Sequence, residues 1–185
     1  TWNIDVKKIE EKITKKTKAI VPVHWSGRIC NMDKILKIAK KYNLHVVEDA
    51  CHAILAHDEK KRFAGNFGIV GCFSLHPLKN LNVWGDGGII TTNNKNIYQK
   101  LKLMRNHGLS SRDNCKIYGF NSRLDTIQAA VGLEMIKKIN LITNSRIKNA
   151  NYLNKNLKSI KQIKLIEERI NFKSVYHLYQ FYCEK

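Results

Sequence analysis

Two short stretches gather side chains able to do acid–base and nucleophilic chemistry. Glu48-Asp49-Ala50-Cys51-His52 follows the apolar run LHVV, and His76-Pro77-Leu78-Lys79-Asn80 follows IVGCFSL, which ends in Ser74 and Leu75. A carboxylate, an imidazole, a hydroxyl and an amine gathered around one ligand can hold, move and donate protons, and an uncharged amine can attack a carbonyl. Taken singly, each has an ordinary alternative: Asp49 as a helix cap, His52 as a surface ring, and Lys79 as one of 26 lysines. Their position is what matters, because ligands of open parallel sheets bind just beyond the carboxyl ends of the strands.

The elements that would place them there can be read from the apolar pattern. Ala19–Trp25 is short, β-branched and bounded by Ser26 and Gly27, which predicts a buried strand. Met32, Ile35, Leu36, Ala39 and Tyr42 recur at helical spacing, with Asn31 or Asp33 to cap the start and Asn43 to take the left-handed exit. Leu44–Glu48 then makes a second strand, and strand–helix–strand in so few residues is a right-handed βαβ unit with parallel strands. Strands are expected at Ile69–Leu75 and Ile89–Thr92, a helix from about Asn94 to Asn106 stopped by Gly108, and a loop over residues 109–121. Helical spacing returns at Leu124 and persists to about Ile160, with Gly132 inside it suggesting close packing. Val175–Cys183 reads as an aromatic strand.

Composition excludes several classes. Apolar types make 43% of the 185 residues and charged types 26%, with 10 Gly and 2 Pro, so the chain is globular rather than disordered or fibrous. No apolar stretch is long enough for a membrane-spanning helix and the first 18 residues are charged throughout, so the expected location is the cytoplasm. The formal charge of +18 raises a nucleic-acid interface, yet 26 Lys stand against 7 Arg, and Lys, Ile and Asn together supply 67 residues. Those three share AT-rich codons, and base readers favour Arg, so a drifted surface is the better explanation. Five cysteines, Cys30, Cys51, Cys72, Cys115 and Cys183, form an odd set without a C-x-x-C pair, which reads as reduced thiols; no metal-ligand spacing is present.

The stretches VVEDACHA, GIVGCFSLHPLKNLNVWGDGGIITTN and GFNSRLDTIQAAVG, in that order, resemble the pyridoxal-phosphate sugar aminotransferases of the DegT/DnrJ/EryC1/StrS family. IDVKKIEEKITKKTKAIVPVHWSG and MDKILKIAKKYNLHVVEDACHA follow the same pattern, so the resemblance spans most of residues 3–160. It implies the α/β, aspartate-aminotransferase-like (type I) large domain, a mostly parallel sheet with helices on both faces. Residues 1–140 would be the C-terminal part of that cofactor-binding domain, and 141–185 a connecting helix and the start of a small domain. Both ends read as cut: the family's Gly-[Ser/Thr] phosphate turn and stacking aromatic lie upstream of Thr1.

The resemblance also assigns roles. Lys79 is the residue that forms the Schiff base with pyridoxal 5'-phosphate and moves the substrate proton. Asp49 pairs with the pyridine nitrogen, which lets the ring accept electron density. His52 lies near the ring hydroxyl, although ACH stands here where the family often has AAH or AAQ. Ser74 bonds the cofactor phosphate, and Asn121 reaches the phosphate of a neighbouring subunit's cofactor, which implies a homodimer. Arg123 reads as structural and Gly85–Gly88 as a tight turn under the lysine loop. The implied reaction moves an amino group from an amino acid, commonly glutamate, to a nucleotide-linked keto-sugar, as in amino-sugar and cell-surface polysaccharide synthesis, with no nucleic-acid or membrane partner. The alternatives are a cofactor-dependent sugar dehydratase, whose relatives carry histidine in place of Lys79, and a fragment or interaction module without catalysis, expected to lack Lys79 or Asp49.

Overall fold

The computed structural model describes residues 2–184. Helix α1 (Met32–Lys41) starts where Asn31 accepts the Lys34 N–H at 3.3 Å and turns Met32, Ile35 and Ala39 into the core. The chain leaves it through Asn43 in the left-handed region, at φ 52°. The helix joins β1 (Ala19–Ile20) to β2 (His45–Asp49), and β3 (Val70–Ser74) extends the sheet; β1–β2 and β2–β3 are parallel, with Asp49 opposite Cys72. β4 (Gly88–Thr91) pairs antiparallel with β3, placing Gly88 opposite Ser74. The spatial order is β1-β2-β3-β4, a mixed, mostly parallel sheet.

The first strand is shorter than its apolar run predicts. Pro22 has no N–H to give a ladder, and the chain turns over Trp25–Gly27, so beyond Ile20 the pairing is a single bridge from Val23 to Asp49.

Helix α2 (Lys95–Met104) is capped by Asn94, which accepts the N–H groups of Asn96 and Ile97, and Gly108 at φ 74° follows its end. Residues 109–121 are not all loop: β5 (Leu109–Ser111) and β6 (Asn114–Cys115) form a small hairpin too polar and short to show a period. Helix α3 (Thr126–Leu157) runs unbroken through residue 140. Gly132 is buried against the sheet side, where an added Cβ would stand 3.2 Å from Val83 Cγ1. β7 (Ile163–Leu165) and β8 (Phe181–Cys183) close a second small sheet. The expected strand at Val175–Cys183 is therefore confined to its last three residues, because Val175 and His177 donate their N–H groups to Gly27 O and Ser26 O. Among the described residues no helix is long and apolar enough to cross a membrane.

One hydrophobic cluster lies around Ile20, Ile35, Val46 and Ala53. A second, of Leu75, Leu81, Val83 and Ile139, sits beneath the lysine-bearing loop.

Candidate active site

The parallel strands bring the two sequence stretches to one end of the sheet. Asp49 ends β2 and is held on both sides: its N–H donates to Pro22 O, its carbonyl accepts from His24 N–H, and the next N–H, of Ala50, donates to Cys72 O at 2.8 Å. One carboxylate oxygen, Oδ1, accepts the Cys51 N–H at 3.0 Å. Ser74 ends the neighbouring β3, two residues beyond the partner of Asp49, and its Oγ accepts the His76 N–H at 3.2 Å.

The lysine loop is pinched at its base. Val83 N–H donates to Leu75 O at 3.1 Å, and within the loop Lys79 N–H donates to His76 O at 2.8 Å. Leu81 and Val83, 4% and 1% exposed, anchor one arm in the second cluster. Asn80 donates from Nδ2 to Val175 O at 3.1 Å. The Gly85–Gly88 turn is braced by α3, where Gln128 donates to Asp86 O at 2.8 Å. Lys79 is thus carried half-buried on a supported loop.

The charges of Lys79 and Asp49 both reach Cys51 and His52. Burial, then a hydrogen bond to Asp49, push the Cys51 thiol up to about 12, while the charge of Lys79 pulls the other way. Burial, then Lys79, hold the His52 imidazole below its ordinary range against the pull of Asp49. The concavity of about 310 Å³ near Asp58 and Arg62 contains none of these residues, and its Arg62 is already paired with Asp33 and Asp58.

His52 is more constrained than a surface ring. Its Nδ1 accepts the Ser26 N–H at 3.2 Å, so the neutral ring carries its hydrogen on Nε2. Trp25 packs on it at 5.0 Å between ring centroids and His177 at 4.4 Å. Ser26 and Gly27 stand in the left-handed region at φ 57° and 88°. A Cβ on Gly27 would meet Val175 Cγ2 at 2.6 Å and His52 O at 3.0 Å, so only glycine fits this turn.

Sequence reasoning missed two features. Glu48, fully buried one residue before Asp49, accepts four hydrogen bonds: from His24 Nε2 and Gly65 N–H on one oxygen, and from Phe67 and Gly68 N–H on the other. Burial alone would raise its pKa, but the hydrogen bonds from His24, Gly68 and Gly65 bring it below the ordinary carboxylate range. His177 is the other. The only available signals were a glutamate inside an apolar strand and a histidine inside an aromatic run. Asn121 is exposed and bridged through its backbone to Asn106, at the base of the β5–β6 hairpin.

The mostly parallel sheet with Asp49 and Ser74 at its strand ends and Lys79 on the braced loop beyond β3 has the type I pyridoxal-phosphate fold of the solved structures it matches. The family model for the DegT/DnrJ/EryC1/StrS aminotransferase family matches residues 1–185, and the chain belongs to that family. It is 49% identical over 131 residues to the dTDP-3-amino-3,6-dideoxy-alpha-D-galactopyranose transaminase of Aneurinibacillus thermoaerophilus, covering 71% of this chain and 36% of the relative. Its fold matches that of S. venezuelae DesV in complex with a ketimine intermediate at a TM-score of 0.94 and 32% identity, over 99% of this chain and 49% of that one. The E. coli GDP-4-keto-6-deoxy-D-mannose-3-dehydratase with bound hydrated PLP matches at 0.88 and 28%, over 99% and 51%. The chain spans about half or less of the length of each.

Proposed function

We propose that this chain carries the Lys79 half of a pyridoxal-phosphate site that transfers an amino group from an amino acid, glutamate by family habit, to a nucleotide-linked keto-sugar. The single observation that carries the reading is the complement of free valences at the strand ends. Asp49 keeps acceptor lone pairs beyond those that Cys51 takes, Ser74 accepts the His76 N–H and keeps its own hydroxyl hydrogen, and His52 keeps an N–H on Nε2. An acceptor, a hydroxyl donor and a ring donor are what a pyridinium N–H, a phosphate and a ring oxygen require, so the residues present fit the cofactor.

When bound, pyridoxal phosphate supplies an aldehyde that captures amines and a ring that takes up the electron pair left as a carbon-bound proton departs. Lys79 would hold the cofactor through its Nζ, and the same amine would take and return the substrate proton. Asp49 keeps the ring nitrogen protonated. His52 donates to the ring oxygen and Ser74 to the phosphate. Asn121, exposed, serves the cofactor of a second subunit in a homodimer. Residues 1–140 belong to the large domain, residues 141–185 lead into a smaller one, and the enzyme works in the cytoplasm. The dehydratase alternative is disfavoured by Lys79 itself, since the resemblance gives those enzymes histidine there.

The test uses the full-length protein. Added pyridoxal phosphate is expected to give a yellow species that borohydride fixes on Lys79 alone among the 26 lysines of this chain. Lys79→Ala should abolish both adduct and turnover, and Asp49→Asn should retain the cofactor while slowing proton transfer. An adduct on another lysine, or aminotransfer surviving in Lys79→Ala, overturns the assignment.

A further inference from the structure

His177 comes from beyond α3, 125 residues after His52, yet the two rings lie 4.4 Å apart at 38°. The contact is built from both ends. Ser26 donates its N–H to His52 Nδ1 at 3.2 Å, and its carbonyl accepts the His177 N–H at 3.1 Å, so one left-handed residue ties both histidines. Around it, Val175 N–H donates to Gly27 O at 3.1 Å and Val175 O accepts from Asn80, the residue after Lys79. Arg146 on α3 donates to the carbonyls of Tyr176 and His177 at 3.3 and 3.1 Å, and the Ser26 hydroxyl bonds Gln180. These bonds fix the backbone of residue 177, while the imidazole Nδ1, buried, has no hydrogen-bond partner, so what the side chain offers His52 is its flat face.

We propose that His177 is a positioning residue of the candidate site: together with Trp25 it packs on the His52 ring and clamps it so that Nδ1 stays on the Ser26 N–H and Nε2 presents its hydrogen to the ligand. That the ligand is the cofactor's ring oxygen rests on the reading above; the clamp itself does not. An unclamped imidazole rotates about χ2 and exchanges tautomers, which makes the donor intermittent. The clamp must also be uncharged, since two imidazolium rings at this spacing would repel each other. His177 is 8% exposed, and burial, then the nearby His52, Lys79, Arg146 and His76, push its pKa down to about 4, so it stays neutral at physiological pH. All four named groups facing it are basic, so none of them favours protonation.

The experiment is nitrogen NMR of histidine-labelled full-length protein without cofactor, for wild type, His177→Ala and His177→Phe. Wild-type His52 should show a single neutral tautomer with hydrogen on Nε2 through pH 6–8. In His177→Ala its two nitrogens should move toward averaged shifts, and its titration midpoint should rise toward the ordinary range, as solvent reaches the ring. His177→Phe restores a flat neighbour and should return the wild-type pattern. A His52 spectrum unchanged in folded His177→Ala overturns the proposal, as does failure of His177→Phe to restore it while the fold is intact. With cofactor added, His177→Ala should release it about tenfold faster than wild type, with the borohydride adduct still on Lys79. Altered His52 shifts in a protein whose wild type forms no Lys79 adduct would keep the clamp and refute the proposed function instead.

Discussion

Replacing Glu48 by glutamine should destabilise the protein by about 2–6 kcal/mol, although it changes one atom. Each carboxylate oxygen accepts two N–H groups: Oε1 from Phe67 at 2.6 Å and Gly68 at 2.7 Å, Oε2 from Gly65 at 2.8 Å and His24 at 2.9 Å. A glutamine amide offers one acceptor oxygen, so whichever way it turns, two buried N–H groups face an NH2, and leaving each unsatisfied costs about 1–3 kcal/mol. A tautomer change at His24 cannot relieve this, because its Nδ1 already accepts the Cys30 N–H at 3.2 Å. The pH dependence gives a second handle. Folding lowers the pKa of Glu48, so its contribution is fully present above the unfolded value of about 4.3 and fades as pH falls through the lower folded value. The gap between wild type and Glu48→Gln in urea unfolding should accordingly be flat from pH 7 to about pH 5 and narrow in more acidic buffer. A gap below about 1 kcal/mol at pH 7, or one that widens on acidification, would refute the view of Glu48 as an ionised anchor for the 65–68 loop.

Two further outcomes are expected. Gly27→Ala forces a side chain into φ 88° and into Val175, so thermal unfolding should show a loss of about 1–3 kcal/mol, and wild-type stability would contradict the tight turn. Asn121→Ala alters an exposed residue, so stability should stay within about 0.5 kcal/mol while cofactor dialyses away faster from a verified dimer; unchanged retention would remove the partner-subunit role.

What the sequence revealed follows the range of the forces involved. The cap at Asn31, one of the two offered, the left-handed Asn43 and the βαβ order are decided within a few residues, and the structure has them where local pattern predicts. Lys79, Asp49, His52 and Ser74 could be singled out as candidates because strand ends in a parallel sheet are predictable and the motif around them is dense. The Glu48 and His177 contacts were not legible, since they depend on backbone N–H groups and rings 17 to 125 residues away. Local pattern also overextended the Ala19–Trp25 and Val175–Cys183 strands. There Pro22 and the hydrogen bonds to Ser26 and Gly27 override β propensity, an outcome of tertiary contacts.

The Ser26 clamp has a consequence for how the protein is made. At about 5–20 residues per second, His177 leaves the ribosome's catalytic centre roughly 6–25 s after His52. During that interval the Ser26–Gly27 turn and Asn80 lack the partners that fasten them, and the strand ends stand open to solvent with Trp25 and Cys51 uncovered on that side. Nascent chains should therefore pass through a protease-sensitive stage centred on residues 25–28 and 76–82, ending only when the 175–180 segment docks. A pause in translation between α3 and β8 would prolong that exposure.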